Sequence, residues 1–435
     1  MIRSNPVWRT AAALGVAGLV VAGCGGEEPA DTAAEPTAEA TEASEPTEEA
    51  TDAAAPTAEG DGTLTIGTLL PETGNLAFLG PPEFAGVQLA VNEINEAGGV
   101  LDNEVAKVDA DSGDATTDIA SQSVQRLLQQ DVDVIVGAAS SGVSFNVIDT
   151  ITNAGVVQFS PANTSPDFTT YDDNGLYFRT APSDVLQGRV LGDLIANDGN
   201  ASLGILAIDD PYGSGLAENV TQSFEGAGGS VVANLSYNPQ SPNFSAEVSE
   251  ILAQDPDAIA LIAFDETARI IPELETQGFP IENVYFVDGN LSNNYDFPQG
   301  TLEGAKGTLP GAQASEEFQQ RLLEVDPDLD NFSYAAESYD AVVLSALAAQ
   351  AAGSDAGEAI AASLPDVSRE GEACDSFAAC SELLEAGEDI DYQGVSGPIE
   401  FSDAGDPTEA TIGIYQYGAD NQYTFQEAQT GTVEG

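Results

Sequence analysis

From Thr63 onward the chain alternates short apolar runs with amphipathic stretches, and this alternation limits the fold more than any other feature. LTIGTLLP, EVAKVDA, VDVIVGAAS and VVQFSP read as strands, with EFAGVQLAVNEINEAGG, TTDIASQSVQRLLQQD and VSFNVIDTITNAG as the helices between them. In the first helix Phe84, Val87, Val91 and Ile94 recur at helical spacing, and a glycine pair ends the run. Strands that alternate with helices of this length predict a parallel sheet covered on both faces. After a break near Thr180 to Asp184 the plan repeats, through SLGILAIDDPYG, VVANLSYNP, AIALIAF and NVYFVDG with helices between. The expected fold is α/β, with two doubly wound parallel-sheet lobes joined by a multi-strand hinge. The expected segments are 62–182 and 307–393 for the first lobe, and 183–306 and 394–435 for the second. An Ala-rich helix is expected around Ala335 to Ala352, and PIEFSDAGDPTEATIGIYQYG reads as a hairpin turning at Gly-Asp-Pro.

The start of the chain has a different character. Met1 to Gly26 carries Arg3 and Arg9 before an apolar stretch, Ala11 to Ala22, that is short for a bilayer span. This predicts a secretory signal over 1–23. VAGC resembles a bacterial lipobox, which implies cleavage before Cys24 and lipid on its sulfur. Residues 24–61 are then the lipidated cysteine and an acidic Ala, Glu, Pro and Thr tether, with too little apolar surface to order itself. An extracytoplasmic protein, lipid-anchored to the cell membrane, is expected. Two cysteines remain, Cys374 and Cys380, six apart. Outside the cytoplasm a disulfide between them is expected, while a metal site would be short of ligands.

Composition removes several functions. The 73 acidic and 10 basic residues leave a formal charge of −63, so nucleic acid is a poor partner. Such a surface resembles that of proteins from salty habitats. The chain has no histidine, which rules out a Ser-His-Asp or Cys-His arrangement and removes the commonest zinc ligand. DADSGDATTD falls short of a calcium loop, because Asp114 stands where the glycine belongs and Ala120 where a bidentate Glu is needed. No catalytic residue, metal or cofactor is expected.

Ligands of open parallel sheets bind beyond the carboxyl ends of the strands. Those ends read LLPETGN, DADSGD, GAASSG, FSPANTSP, DDPYG, AFDE and VDGN, rich in Ser, Thr, Asp, Gly and Asn and without a glycine-rich phosphate loop. With PETGNLAFLGPPEFAGVQLAVNEINEAGGV, DDPYGSGLAENV and VSGPIEFSDAGD, their order and spacing resemble the type I periplasmic binding proteins. The narrower resemblance is to the leucine/isoleucine/valine-binding proteins that feed ABC importers, and it spans Thr63 to about Thr424.

The resemblance implies a small amino-acid-like ligand held between two closing lobes, and an ABC permease in the membrane as partner. It implies that Ser141, with Ser140 beside it, holds the ligand carboxylate through hydroxyl and amide. It gives the Ala162 carbonyl to the ammonium and Thr164, next to Asn163, to the charged end. Tyr212 would lie over the ligand, Phe264 would form an aromatic wall, and Asp288 would pair with the ammonium. Leu79 stands where a tyrosine or tryptophan is common, and Asp288 where a glutamate is, which leaves the ligand unspecified among branched-chain amino acids, other amino acids, amides and urea-like solutes. Read singly, Ser141 is also a helix cap, Tyr212 and Phe264 core aromatics, and Asp265 and Glu266 solvated lip residues. A ligand sensor and a carboxylate-based hydrolase are the competing classes.

Overall fold

A computed structural model describes residues 60–433; the expected signal segment, Cys24 and the expected tether up to residue 59 lie outside the described residues. The first part builds β1 (Thr65–Leu70), α1 (Gly80–Glu96), β2 (Ala106–Asp111), α2 (Ile119–Leu128), β3 (Val134–Gly137), α3 (Ser141–Thr152), β4 (Val157–Ser160) and β5 (Tyr177–Arg179). The strands form one parallel sheet in the order β2-β1-β3-β4-β5. Side chains alternate across it, as the strand repeat of two requires. Val134 and Val136 pack with residues of α1, while Ile135 packs with Val124 of α2 and Val147 of α3.

The chain continues through α4 (Asp184–Asn197), β6 (Ser202–Ile208), α5 (Pro211–Gly226), β7 (Ser230–Tyr237), α6 (Ser245–Leu252), β8 (Ala258–Ile262), α7 (Thr267–Thr276), β9 (Val284–Phe286) and β10 (Lys306–Pro310). It then forms α8 (Glu316–Val325), α9 (Ala335–Ala352), α10 (Gly357–Val367), β11 (Glu372–Cys374), α11 (Phe377–Ala386), β12 (Ile390–Tyr392), β13 (Glu409–Tyr417) and β14 (Tyr423–Thr432). The second sheet runs β14-β13-β10-β9-β8-β6-β7. Its five strands from β10 to β7 are parallel, and β13 and β14 extend it antiparallel.

The Ala-rich helix α9 is buried on nearly every face, among α1, α10 and α11 of the first core, and its Glu337 and Asp340 are buried with it. Cys374 and Cys380 are joined in a disulfide that ties β11 to α11. No helix among the described residues is long and apolar enough to cross a membrane.

The expected hairpin pairs differently. The Gly-Asp-Pro turn closes only one bridge, Phe401 to Pro407, and the long hairpin is β13 with β14. Phe401 packs instead against Phe159 and Phe178 in the first core, so its segment serves the opposite lobe from β13. The true turn, Gly418 to Gln422, relies on Asn421 at φ 60°, a left-handed conformation that asparagine tolerates.

Candidate ligand-binding cleft

The site lies where loops from both lobes meet. α3 begins at the end of β3, with Ser140 as its cap: the Ser140 hydroxyl oxygen accepts from the Val143 amide at 3.4 Å. Among the described residues, the Ser141 and Gly142 amides have no protein acceptor. Ser141 is buried, and its hydroxyl oxygen accepts the Ser165 amide at 3.3 Å, leaving the O–H free to donate. Two free amides, a free hydroxyl and the positive end of a 12-residue helix make a seat for a carboxylate.

The loop FSPANTSP after β4 is fastened from beneath. Ser160 donates to the Ala138 carbonyl at 2.7 Å, and the Asn163 amide donates to the Ala138 and Ala139 carbonyls at 3.0 and 2.8 Å. The Asn163 oxygen takes the Tyr177 hydroxyl, so its side chain clamps two strand ends together and is fully engaged within the protein. Arg179, at the end of β5, is completely buried and pairs with Asp406 at 2.6 Å. Its guanidinium also donates to the carbonyls of Asn163 and Ser165, one on either side of Thr164. The Ala162 carbonyl accepts no hydrogen bond among the described residues.

Thr164 reaches the opposite pole. Its hydroxyl donates to Asp184 Oδ2 at 3.0 Å and its carbonyl accepts the Asp184 amide at 2.7 Å. Asp184 starts α4, and its Oδ1 is buried without a partner. One turn on, Gln187 donates to Asp288 Oδ1 at 3.0 Å, while its own oxygen is buried and unbonded. Asp288 also takes the hydroxyls of Tyr212 at 2.7 Å and Tyr334 at 2.9 Å. Burial and the charge of Asp288 hold the Asp184 carboxyl well above the usual carboxylate range. Burial raises Asp288 too, against the pull of its hydroxyl and amide donors. The inner site therefore holds two buried carboxyls, both with raised pKa, and two orphan acceptors.

Tyr212 and Phe264 stack with centroids 5.4 Å apart, and Leu76, Leu79, Ala139 and Ala162 share their apolar cluster. The lobes also touch directly: Ser165 donates to the Pro211 carbonyl at 3.2 Å. Glu266 is not a solvated lip residue. It is buried, taking the Phe264 amide and the Tyr237 hydroxyl, whereas Asp265 is exposed.

Sequence reasoning passed over Asp184, Gln187, Tyr334 and Arg179. An acidic residue in a first helical turn reads as a partner of the helix dipole. Tyr334 has φ 60°, a left-handed backbone that costs a bulky residue about 1–3 kcal/mol, and no local signal announces it.

Residues 63–422 match the periplasmic binding protein family. A chemotactic signal transduction system substrate-binding protein, BasB of Halobacterium salinarum, is 26% identical over 79% of this chain and 84% of its own length. A Leu/Ile/Val-binding protein homolog of Brucella abortus is 25% identical over 83% and 92%. The crystal structure of the leucine-binding protein LivK from Thermotoga maritima superposes with a TM-score of 0.70 at 21% identity, covering 84% of this chain and 98% of that one. The chain belongs to the periplasmic binding protein family, whose members bind solutes and are not enzymes.

Proposed function

We propose that this protein is the extracytoplasmic substrate-binding lipoprotein of an ABC importer and that it takes an α-amino acid between its lobes. One observation carries the reading: a seat for an anion and a seat for a cation, joined by the adjacent residues Thr164 and Ser165. The ligand carboxylate lies on the start of α3, with Ser141 donating, and the ammonium lies among the Ala162 carbonyl, Thr164, Asp184 and Asp288. Tyr212 and Phe264 cover it, and Leu79 faces its side chain. Closure of the lobes gives the permease a surface that the open form lacks. The names of the relatives put leucine, isoleucine and valine first among ligands.

Calorimetry of the full chain against the standard amino acids and their 2-hydroxy-acid analogues tests this. Heat with amino acids, lost at least 100-fold with hydroxy acids, is the expected outcome; no heat with any of them rejects it. The BasB resemblance favours one second reading, a binding protein that reports its ligand to a signalling partner. Uptake of labelled ligand by cells with and without this protein separates delivery from reporting.

A further inference from the structure

A cavity of about 420 Å³ adjoins the candidate site and shares Ser140 and Phe264 with it. Its other walls are mostly polar: Asn75 and Thr116 from the first lobe, Asp209, Asp210, Asn238 and Gln240 from the second. Asp210 begins α5 and lies opposite the start of α3, since a methyl group built on Gly142 would come within 3.5 Å of its Oδ2. Behind this wall, Glu266 is buried against Phe264. No Lys or Arg lines the cavity. Arg269, on the lip, is engaged with the carbonyls of Ser241 and Pro239 and lies over Phe244.

The inner site has its own shortage of positive charge. Asp184 and Asp288 face one ligand ammonium, and the buried cation nearby, Arg179, is already paired with Asp406. Asp184 Oδ1 and Gln187 Oε1 are fully buried acceptors still without donors. A ligand whose single positive charge is taken up by this inner pair leaves the adjoining cavity acidic.

From these two observations, and resting on the amino-acid reading above, we infer that the preferred ligand is an amino acid with a cationic side chain. Its aliphatic stem runs over Leu79 and the Phe264 ring, and its cationic end lies in the adjoining cavity at Asp210, within reach of Asp209, Asn238 and Gln240. Stem and head are divided in the way long basic side chains divide apolar and polar surroundings.

Calorimetry of the full chain with L-lysine, L-ornithine and L-arginine, set against L-leucine, L-isoleucine and L-valine, tests the inference. At least one basic amino acid is expected to bind tenfold or more tighter than leucine. Asp210→Asn keeps a side-chain oxygen for the Gly213 amide that caps α5, so the variant is expected to fold. It should lower the lysine-to-leucine affinity ratio at least fivefold, and Asp209→Asn should lower it less. Leucine binding as tightly as lysine overturns the inference and leaves the amino-acid reading standing. A lysine-to-leucine ratio unmoved in both variants also overturns it. No binding by either series overturns the inference, and no heat with any standard amino acid overturns the amino-acid reading as well.

Discussion

Two buried charge centres, one built on Arg179 and the other on Asp184 five residues later, differ in one respect. Arg179 and Asp406 form a finished pair at 2.6 Å, with three further guanidinium donors taken by the carbonyls of Asn163 and Ser165 and by Thr169. Asp184 and Asp288 lie equally deep, yet their only protein donors are hydroxyls and amides, and one Asp184 oxygen has none. The first centre stabilises the loop that carries Thr164. The second is costly with protein partners alone, because burial disfavours both charges and each disfavours the other. In the function proposed above, a ligand ammonium supplies what is missing.

Breaking the finished pair should have the largest effect. Arg179→Met strands the buried Asp406 carboxylate and should cost about 3–5 kcal/mol of stability, read by denaturant unfolding. The corresponding change at the unfinished centre should have the opposite sign. Asp288→Asn removes a disfavoured buried charge, so the ligand-free protein should melt no lower than wild type. Amino-acid affinity should nevertheless fall by about 3 kcal/mol in calorimetry, the scale for losing one partner of a buried charge pair.

The two centres should also separate by pH. Asp184 and Asp288 titrate above the ordinary value of 3.8 in the folded chain. Their protonated forms therefore favour the folded state: this stability is fully present below about pH 3.8 and is lost as pH rises through the raised native values. A bound ammonium favours the ionised forms and reverses that loss. The rise in melting temperature caused by ligand should accordingly grow as pH is raised through those values, and affinity should fall as pH is lowered, by at most about tenfold per unit for each proton displaced. The smallest effect is expected for Tyr334→Phe, which removes one donor to Asp288 and should weaken binding by about 1 kcal/mol.

The sequence reveals the two poles unequally. Ser141 and Thr164 lie at strand ends in loops whose Ser, Thr and Pro content already marks them as polar turns. Beyond Ala162 and Thr164 in the loop after β4, the proposed cationic seat draws on α4, the loop after β9 and the turn before α9, and of these added residues only Asp288 follows a recognisable strand end. Gln187 looks like any polar residue on a helix; its role depends on α4 being buried beside Asp288, which is a tertiary fact. Asn163 shows the reverse error. Its place in the loop reads as a ligand contact, while its side chain in the fold joins β3, β4 and β5 at their ends. The hairpin differs for a similar reason: alternation marks Pro398 to Phe401 as strand-like, while the packing of Phe401 into the other lobe is a tertiary fact.

The central claim is that the unfinished centre is completed by a ligand ammonium. The most direct measurement is calorimetry of wild type and Asp184→Asn with the best-binding amino acid and with its 2-hydroxy-acid counterpart. The account predicts that wild type prefers the amino acid at least 100-fold and that Asp184→Asn loses most of that preference. Equal affinity for the two compounds in wild type, or a preference untouched by the substitution, would contradict it.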